Sequence, residues 1–279
     1  MRERINIADL IVALAFGLVL VLLVTGSLLG TLVEVPPLVE KRDLAEYPDR
    51  AQISFRDYPA AWEAWYNDHF GYRALMVRAN NLMRLRLWGV STVRQVLPGR
   101  HGWLFYDGRS GRGGYPRFNY RGQLPDQHEG LFTALQDQLE ATRDYFEALG
   151  AANGLVVAPD KWSVHGRYLP EEVGEGAPLT SSDLFLAHLR THSDLDVLDL
   201  KPLLRDLGAR EQVFHRLDSH WNDRGAWAAS MAILERIGTR VPGIVPPDPT
   251  DFRAESRTRT DGDLARMMGL EGWMRETEN

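Results

Sequence analysis

The chain has no cysteine among its 279 residues, which excludes disulfides, thiolate zinc sites and a cysteine nucleophile. It also lacks an excess of basic charge. Lys and Arg total 32 against 38 Asp and Glu, a formal net charge of -6, so no basic face is offered to a nucleic acid. Internal repeats and low-complexity tracts are absent too, which excludes a solenoid and a tail of biased composition. What remains is enough chain for one large domain or two small ones with a real core.

One long apolar run is present. From Leu10 to Val33 the chain reads "LIVALAFGLVLVLLVTGSLLGTLV" without a charge. A helix of that length rises roughly 35 Å, and a bilayer core is about 30 Å thick. Arg2 and Arg4 precede it, which favours a cytoplasmic N-terminus. The run is long for a signal peptide and no A-x-A-like site follows. The expectation is an uncleaved single-pass anchor over residues 1–34, a proline-bearing stalk over 35–50, and a domain over 51–279 outside the cytoplasm. In a cell with two membranes, that places the anchor in the inner membrane and the domain in the periplasm.

After the stalk, Trp62, Trp65, Tyr66, His69 and Phe70 follow one helix face, and Leu75, Ala79, Leu82 and Met83 continue on a second helix beyond Gly71. At helical spacing such aromatics read as core more readily than as a sugar-stacking platform. "HGWLFYDG" predicts a short aromatic strand, and the glycines of "GRSGRGG" a loop. Helices are predicted over 127–149, near "SSDLFLAHLRTH" with Ser181 or Ser182 as cap, and over "DRGAWAASMAILERIG" with Asp223 as cap. Strands are predicted at 154–159, 196–200 and 212–217. This alternation predicts a mostly parallel sheet covered on both faces, with ligands at the carboxyl ends of its strands.

Two fragments follow predicted strands directly, "APDKW" and "RLDSHW". On a strand, Asp218 and His220 are two apart and share a side. They fit an acid orienting an imidazole base, a pair of metal ligands, or a capped surface turn. His215 lies an odd number of positions away and is expected to face elsewhere, which argues against a metal. Lys161, just past a buried strand, is expected to open toward the same cleft and bind an anionic sugar or orient the site. Ser163 and His165 gain no activation from their spacing.

The order of four blocks adds more than each alone. "WxxWYNDHFGYR", "GRHGWLFY", "VVAPDKWSVH…YLP" and "LDSHWNDRGA" resemble the alginate O-acetyltransferase family of AlgJ/AlgX type, over roughly Leu44 to Leu270. The resemblance implies an SGNH-like three-layer α/β/α sandwich with a mostly parallel sheet. It implies Asp218 as acid and His220 as base of a Ser-His-Asp triad; beside them, Lys161 and Trp221 are expected as substrate-binding residues from their own positions. Acetyl transfer to a polysaccharide hydroxyl would follow, with an MBOAT-type acyltransferase as partner and neither cofactor nor metal required.

The pattern departs at the nucleophile. Only Ser230, inside a predicted helix, and Ser256, in a charged run, follow Trp221. Neither sits in a strand-to-helix elbow, so this stretch is expected to lack the serine block and to be C-terminally incomplete as an acetyltransferase domain. The rival expectation is a non-catalytic carbohydrate-binding or scaffold component of a polysaccharide complex, which needs no serine.

Overall fold

The computed structural model describes residues 6–29, 38, 42–108, 115–124, 128–174 and 176–278. Arg2, Arg4, residues 35–37 and 39–41 of the expected stalk and the glycine-rich stretch 109–114 lie outside the described residues. The chain divides into two compact units, Met1–Met83 and Arg84–Asn279.

In the first unit, α1 (Ile7–Leu29) is long and apolar enough to cross a membrane. Helix α2 (Tyr58–His69) takes Pro59 in its first turn, where a missing N–H costs nothing. It ends before Gly71, and α3 (Arg73–Trp88) follows. The aromatics of α2 meet one another. Trp62 stacks on Tyr66 at 5.2 Å and Trp65 on His69 at 5.2 Å. Yet α2 has no buried residue, and Trp62 is 42% exposed, so the expected core role of this face is corrected to a partly solvated aromatic ladder.

The second unit is mixed α/β. Strands β1 (Val96–Pro98) and β2 (Leu104–Tyr106) pair antiparallel. Helices α4 (Tyr115–Tyr120) and α5 (His128–Ala148) precede β3 (Leu155–Val157) and α6 (Lys161–His165). Next come α7 (Ser181–His192), β4 (Val197–Asp199) and α8 (Lys201–Arg210). Strand β3 pairs parallel with β4, Val156 opposite Leu198. Then follow α9 (Asp223–Gly238), β5 (Arg257–Arg259), α10 (Asp263–Met267) and β6 (Glu276–Glu278), the last antiparallel to β5.

Among the described residues the sheets are two-stranded, and one pair of the three is parallel, so the broad parallel sheet expected from the sequence is not what forms. The main reason lies at 212–217. Instead of a strand, this segment makes one bridge, Phe214 to Trp221, and doubles back between them. The carbonyl of Arg216 accepts from the Leu104 N–H and from Lys161, and that of Asp218 also accepts from Lys161, so these groups are unavailable to a ladder.

Two caps also move by one residue. Thr180, one position before Ser181, closes a reciprocal capping box with Asp183 at the start of α7. Asn222, one before Asp223, accepts the Gly225 N–H at the start of α9 and donates to the Gln212 carbonyl. Glycine is required at 225, where a Cβ would lie 2.3 Å from the Val213 carbonyl oxygen. The core beneath the site is Trp103, Phe105, Trp162, Leu200, Leu204 and Phe214.

Candidate active site

The doubled-back segment carries the site. At its tip one oxygen of Asp218, Oδ1, accepts the backbone N–H of His220 at 2.9 Å, an Asx-type turn that reverses the chain. The same oxygen lies 2.7 Å from His220 Nδ1. The shared side that alternation on a strand would give is supplied by this turn instead. Oδ2 of Asp218 accepts the backbone N–H of Asp263 at 2.9 Å. Burial pushes the Asp218 carboxyl up, but the N–H donors of Asp263 and His220 and the imidazole outweigh it, and its pKa falls to about 2. The imidazole is the opposite case: its side chain is 74% exposed.

The His220 ring borders a cleft of about 390 Å³ whose walls include the aromatic rings of Tyr106, Trp162, Phe214 and Trp221, with Asp160, Lys161 and Ser219 among its other lining residues. Such rings suit a ligand ring that stacks. Trp221 is thus beside His220 on the cleft.

Lys161 fits the expectation only in part. It starts α6, whose cap is Asp160, and is 4% exposed. Its Nζ donates to the carbonyls of Leu104, Arg216 and Asp218 at 2.6, 3.1 and 2.9 Å. An ammonium has three donors, and all are in use. The rings of Trp103 and Phe105 lie 5.0 and 5.2 Å from it. Lys161 lines the same cleft as His220, as expected, but its ammonium turns inward and ties the dyad loop to β2. Burial pushes its pKa down to about 7, opposed by Glu276, Asp218 and Asp263.

Ser163 and His165 do not converge on the dyad. Ser163 lines a separate cavity of about 60 Å³ between α6 and α7. His165 is fully buried, 4.6 Å from the Trp103 ring, and neither ring nitrogen has a hydrogen-bond partner. Burial, with Arg167 and Lys161 nearby, pushes its pKa down to about 3.

His215 points away from Asp218 and His220 into a second polar group with Glu276, Glu278 and Arg259. The ligand atoms of His215, Glu276 and Glu278 lie within 4.8 Å of one another, as do those of Asp218, His220 and Asp263. In the first trio, Arg259 Nη1, a donor only, is 2.9 Å from His215 Nε2. Nε2 therefore accepts and Nδ1 carries the proton facing Glu278, which is the reverse of what a cation at Nδ1 needs. In the second trio both oxygens of Asp218 already accept N–H groups.

Asp263, in the charged run that follows Ser256, is a member of the site that no local sequence pattern marks. The nearest signal is the glycine before it. A Cβ on Gly262 would meet the Leu217 carbonyl oxygen at 2.3 Å, so the α10 segment approaches the dyad loop closely.

The site is thus an aromatic cleft at the edge of an α/β core, bordered by an acid-oriented imidazole. Residues 96–279 match the family described as SGNH hydrolase-like domain, acetyltransferase AlgX. That is more than half of the chain, and the chain belongs to this AlgX/AlgJ family of SGNH hydrolase-like acetyltransferases. It is 26% identical over 213 residues to a probable alginate O-acetylase AlgJ of Pseudomonas putida, covering 76% of this chain and 51% of that protein. The chain thus spans about half the length of the curated relative it matches. The solved O-acetyltransferase domain of Pseudomonas putida AlgJ is similar at 25% identity with a TM-score of 0.47, over 66% of this chain and 63% of that one.

Proposed function

We propose that this protein is a membrane-anchored, extracytoplasmic O-acetyltransferase component that acts on an exopolysaccharide or cell-wall glycan, with Asp218 and His220 as its acid–base pair. The observation that carries this reading is the 2.7 Å contact from Asp218 Oδ1 to His220 Nδ1. With Nδ1 so engaged, Nε2 is the nitrogen left to accept the proton of the hydroxyl whose oxygen bonds to the acetyl carbonyl carbon, while the acetyl donor's C–O bond breaks to release the leaving oxygen. Asp218 stabilises the imidazolium that forms, and the imidazolium then returns the proton to the leaving oxygen. Trp221 serves as a stacking wall for a sugar ring, and Lys161 holds the loop that carries both groups. The reading includes the three-layer α/β/α arrangement, with β3 and β4 as its parallel centre. It also includes α1 as an uncleaved inner-membrane anchor, a periplasmic domain, and an MBOAT-type partner that delivers acetyl groups.

A second reading, a glycan-binding component without turnover, is favoured by one observation. Among the described residues no serine hydroxyl contacts His220 from the Nε2 side; Ser219 lies 3.4 Å from Nδ1. The two readings separate in one experiment on the full chain in detergent, with a chromogenic acetyl ester and a soluble acidic glycan. Ester turnover that is lost in His220→Ala supports the transferase. Glycan binding without His220-dependent turnover supports the binding component.

A further inference from the structure

We propose that the aromatic face of α2 lies in the membrane–water interface beside the outer end of α1, and so holds α2 against the lipid. The inference rests on the reading of α1 as a membrane anchor.

The apolar window of α1, Ile7–Gly26, has 20 residues. As a helix it rises about 30 Å, the thickness of a hydrocarbon core, so Gly26 falls at the core's outer edge. Aromatic rings meet α1 at that level. A Cβ on Gly26 would collide with the Phe70 ring, and the Tyr72 ring lies next to it. From there the aromatics run on without a break. Tyr72 is 5.9 Å from Phe70, Phe70 is 5.8 Å from Tyr66, and Tyr66 is 5.2 Å from Trp62. The run starts where α1 leaves the hydrocarbon and follows α2 back toward its first turn.

Trp and Tyr have an apolar body and one polar atom, and they concentrate where acyl chains give way to headgroups. The ladder suits such a medium, because α2 buries no residue in the protein and Trp62 is 42% exposed. The other face of α2 carries Ala60, Glu63, Ala64 and Asn67, all exposed, which makes the helix two-sided as an interfacial helix must be. Sugar stacking fits less well. A sugar ring needs an open aromatic face, whereas Trp62 and Tyr66 lie 14° from parallel and each covers a face of the other. Trp65 and His69 do the same at 19°, with Tyr47 set edge-on to Trp65 at 5.0 Å.

The test uses the full chain in phosphatidylcholine nanodiscs, made with acyl chains either plain or brominated near the headgroup. Bromine quenches only the tryptophans that reach it. In the wild type it is expected to remove up to about a quarter of the emission, the share of Trp62 and Trp65 among the eight tryptophans. In Trp62→Phe with Trp65→Phe, which keeps two aromatic rings in place, that loss is expected to vanish. Should this pair fail to fold, Trp62→Phe alone is expected to reduce the loss by about half. A wild type seated in the discs without quenching overturns the proposal, and so does a loss that persists in the folded variant. If, in that unquenched wild type, a soluble acidic glycan shifts the emission through Trp62, the ladder is a sugar platform instead. Entry into the discs, read by co-elution with lipid, tests the anchor separately. A chain that stays outside removes the anchor and this placement together, and one that enters without quenching removes the placement alone.

Discussion

Oδ1 of Asp218 takes both N–H groups that His220 offers it, the backbone at 2.9 Å and Nδ1 at 2.7 Å. The acid is therefore bound to the loop's shape as well as to the imidazole, while the imidazole contributes little to the fold. Asp218→Ala leaves the Asp263 and His220 N–H groups without their acceptor and is expected to cost on the order of 1–3 kcal/mol in urea unfolding. His220→Ala, at a side chain 74% exposed, is expected to change stability by no more than about 0.5 kcal/mol. Equal costs for the two would mean that the loop is not organised around the carboxylate.

The Asp218 pKa, held to about 2 against 3.8 for a free carboxyl, has a further consequence. Its contribution is present above pH 4 and fades as pH falls toward 2. Asp218→Asn is expected to flatten the stability curve across that window only. A parallel downward offset at all pH values would contradict the assignment.

Lys161 acts in a different window. Its folded pKa of about 7 lies below the free value of 10.5, so between these the unfolded chain binds one more proton than the folded one. Stability from this group rises with pH from 7 to 10.5, by about 1.4 kcal/mol per pH unit at most, and is flat below 7. In Lys161→Met that slope is expected to vanish, and the three carbonyls that lose their donor are expected to loosen the dyad loop. Unfolding curves of both proteins at pH 7, 8 and 9 give the comparison. An unchanged slope would place Lys161 at the surface.

His165 supplies the acid counterpart. Its folded pKa of about 3 lies below the free value of 6.5, so stability present above pH 6.5 is lost as pH falls toward 3. Neither ring nitrogen has a partner, so no bond is sacrificed in His165→Leu. The variant is expected to hold its stability better than the wild type between pH 6 and 4, read as a smaller drop in Tm. A wild type with no such drop would mean that the ring is solvated.

Much of this site was legible in the sequence because its chemistry is local. Asp218 and His220 are two residues apart, and Trp221 follows, so any tight conformation brings them together. Helices α2, α5 and α9 were readable from apolar spacing, and β3 from "LVV". The reasons the rest was not legible are long-range. Lys161 looks like a residue at a strand end, but the three carbonyls that bury it come from residues 55–57 positions away. The strand predicted at 212–217 has the right residues for a ladder, and loses it because the Arg216 carbonyl is taken by Leu104 and Lys161 and the chain reverses at Asp218. Asp263 lies 44 positions from Ser219, and no local pattern links them.

The anchor has its own check. A periplasm-active reporter joined after Asn279 is expected to be active, with the mature chain still beginning ahead of Leu10. Activity only of a cytoplasmic reporter, or a mature N-terminus beyond Thr31, would contradict the proposed topology.

The central claim is that His220, oriented by Asp218, is the base for acetyl transfer. The most direct measurement is turnover of a chromogenic acetyl ester by the full chain, alongside His220→Ala and Asp218→Ala, with a fluorophosphonate probe to mark any activated serine. The account predicts that whatever ester turnover the chain shows falls by about 10³-fold in His220→Ala and that Asp218→Ala follows it closely. A rate in His220→Ala equal to that of the wild type would contradict it.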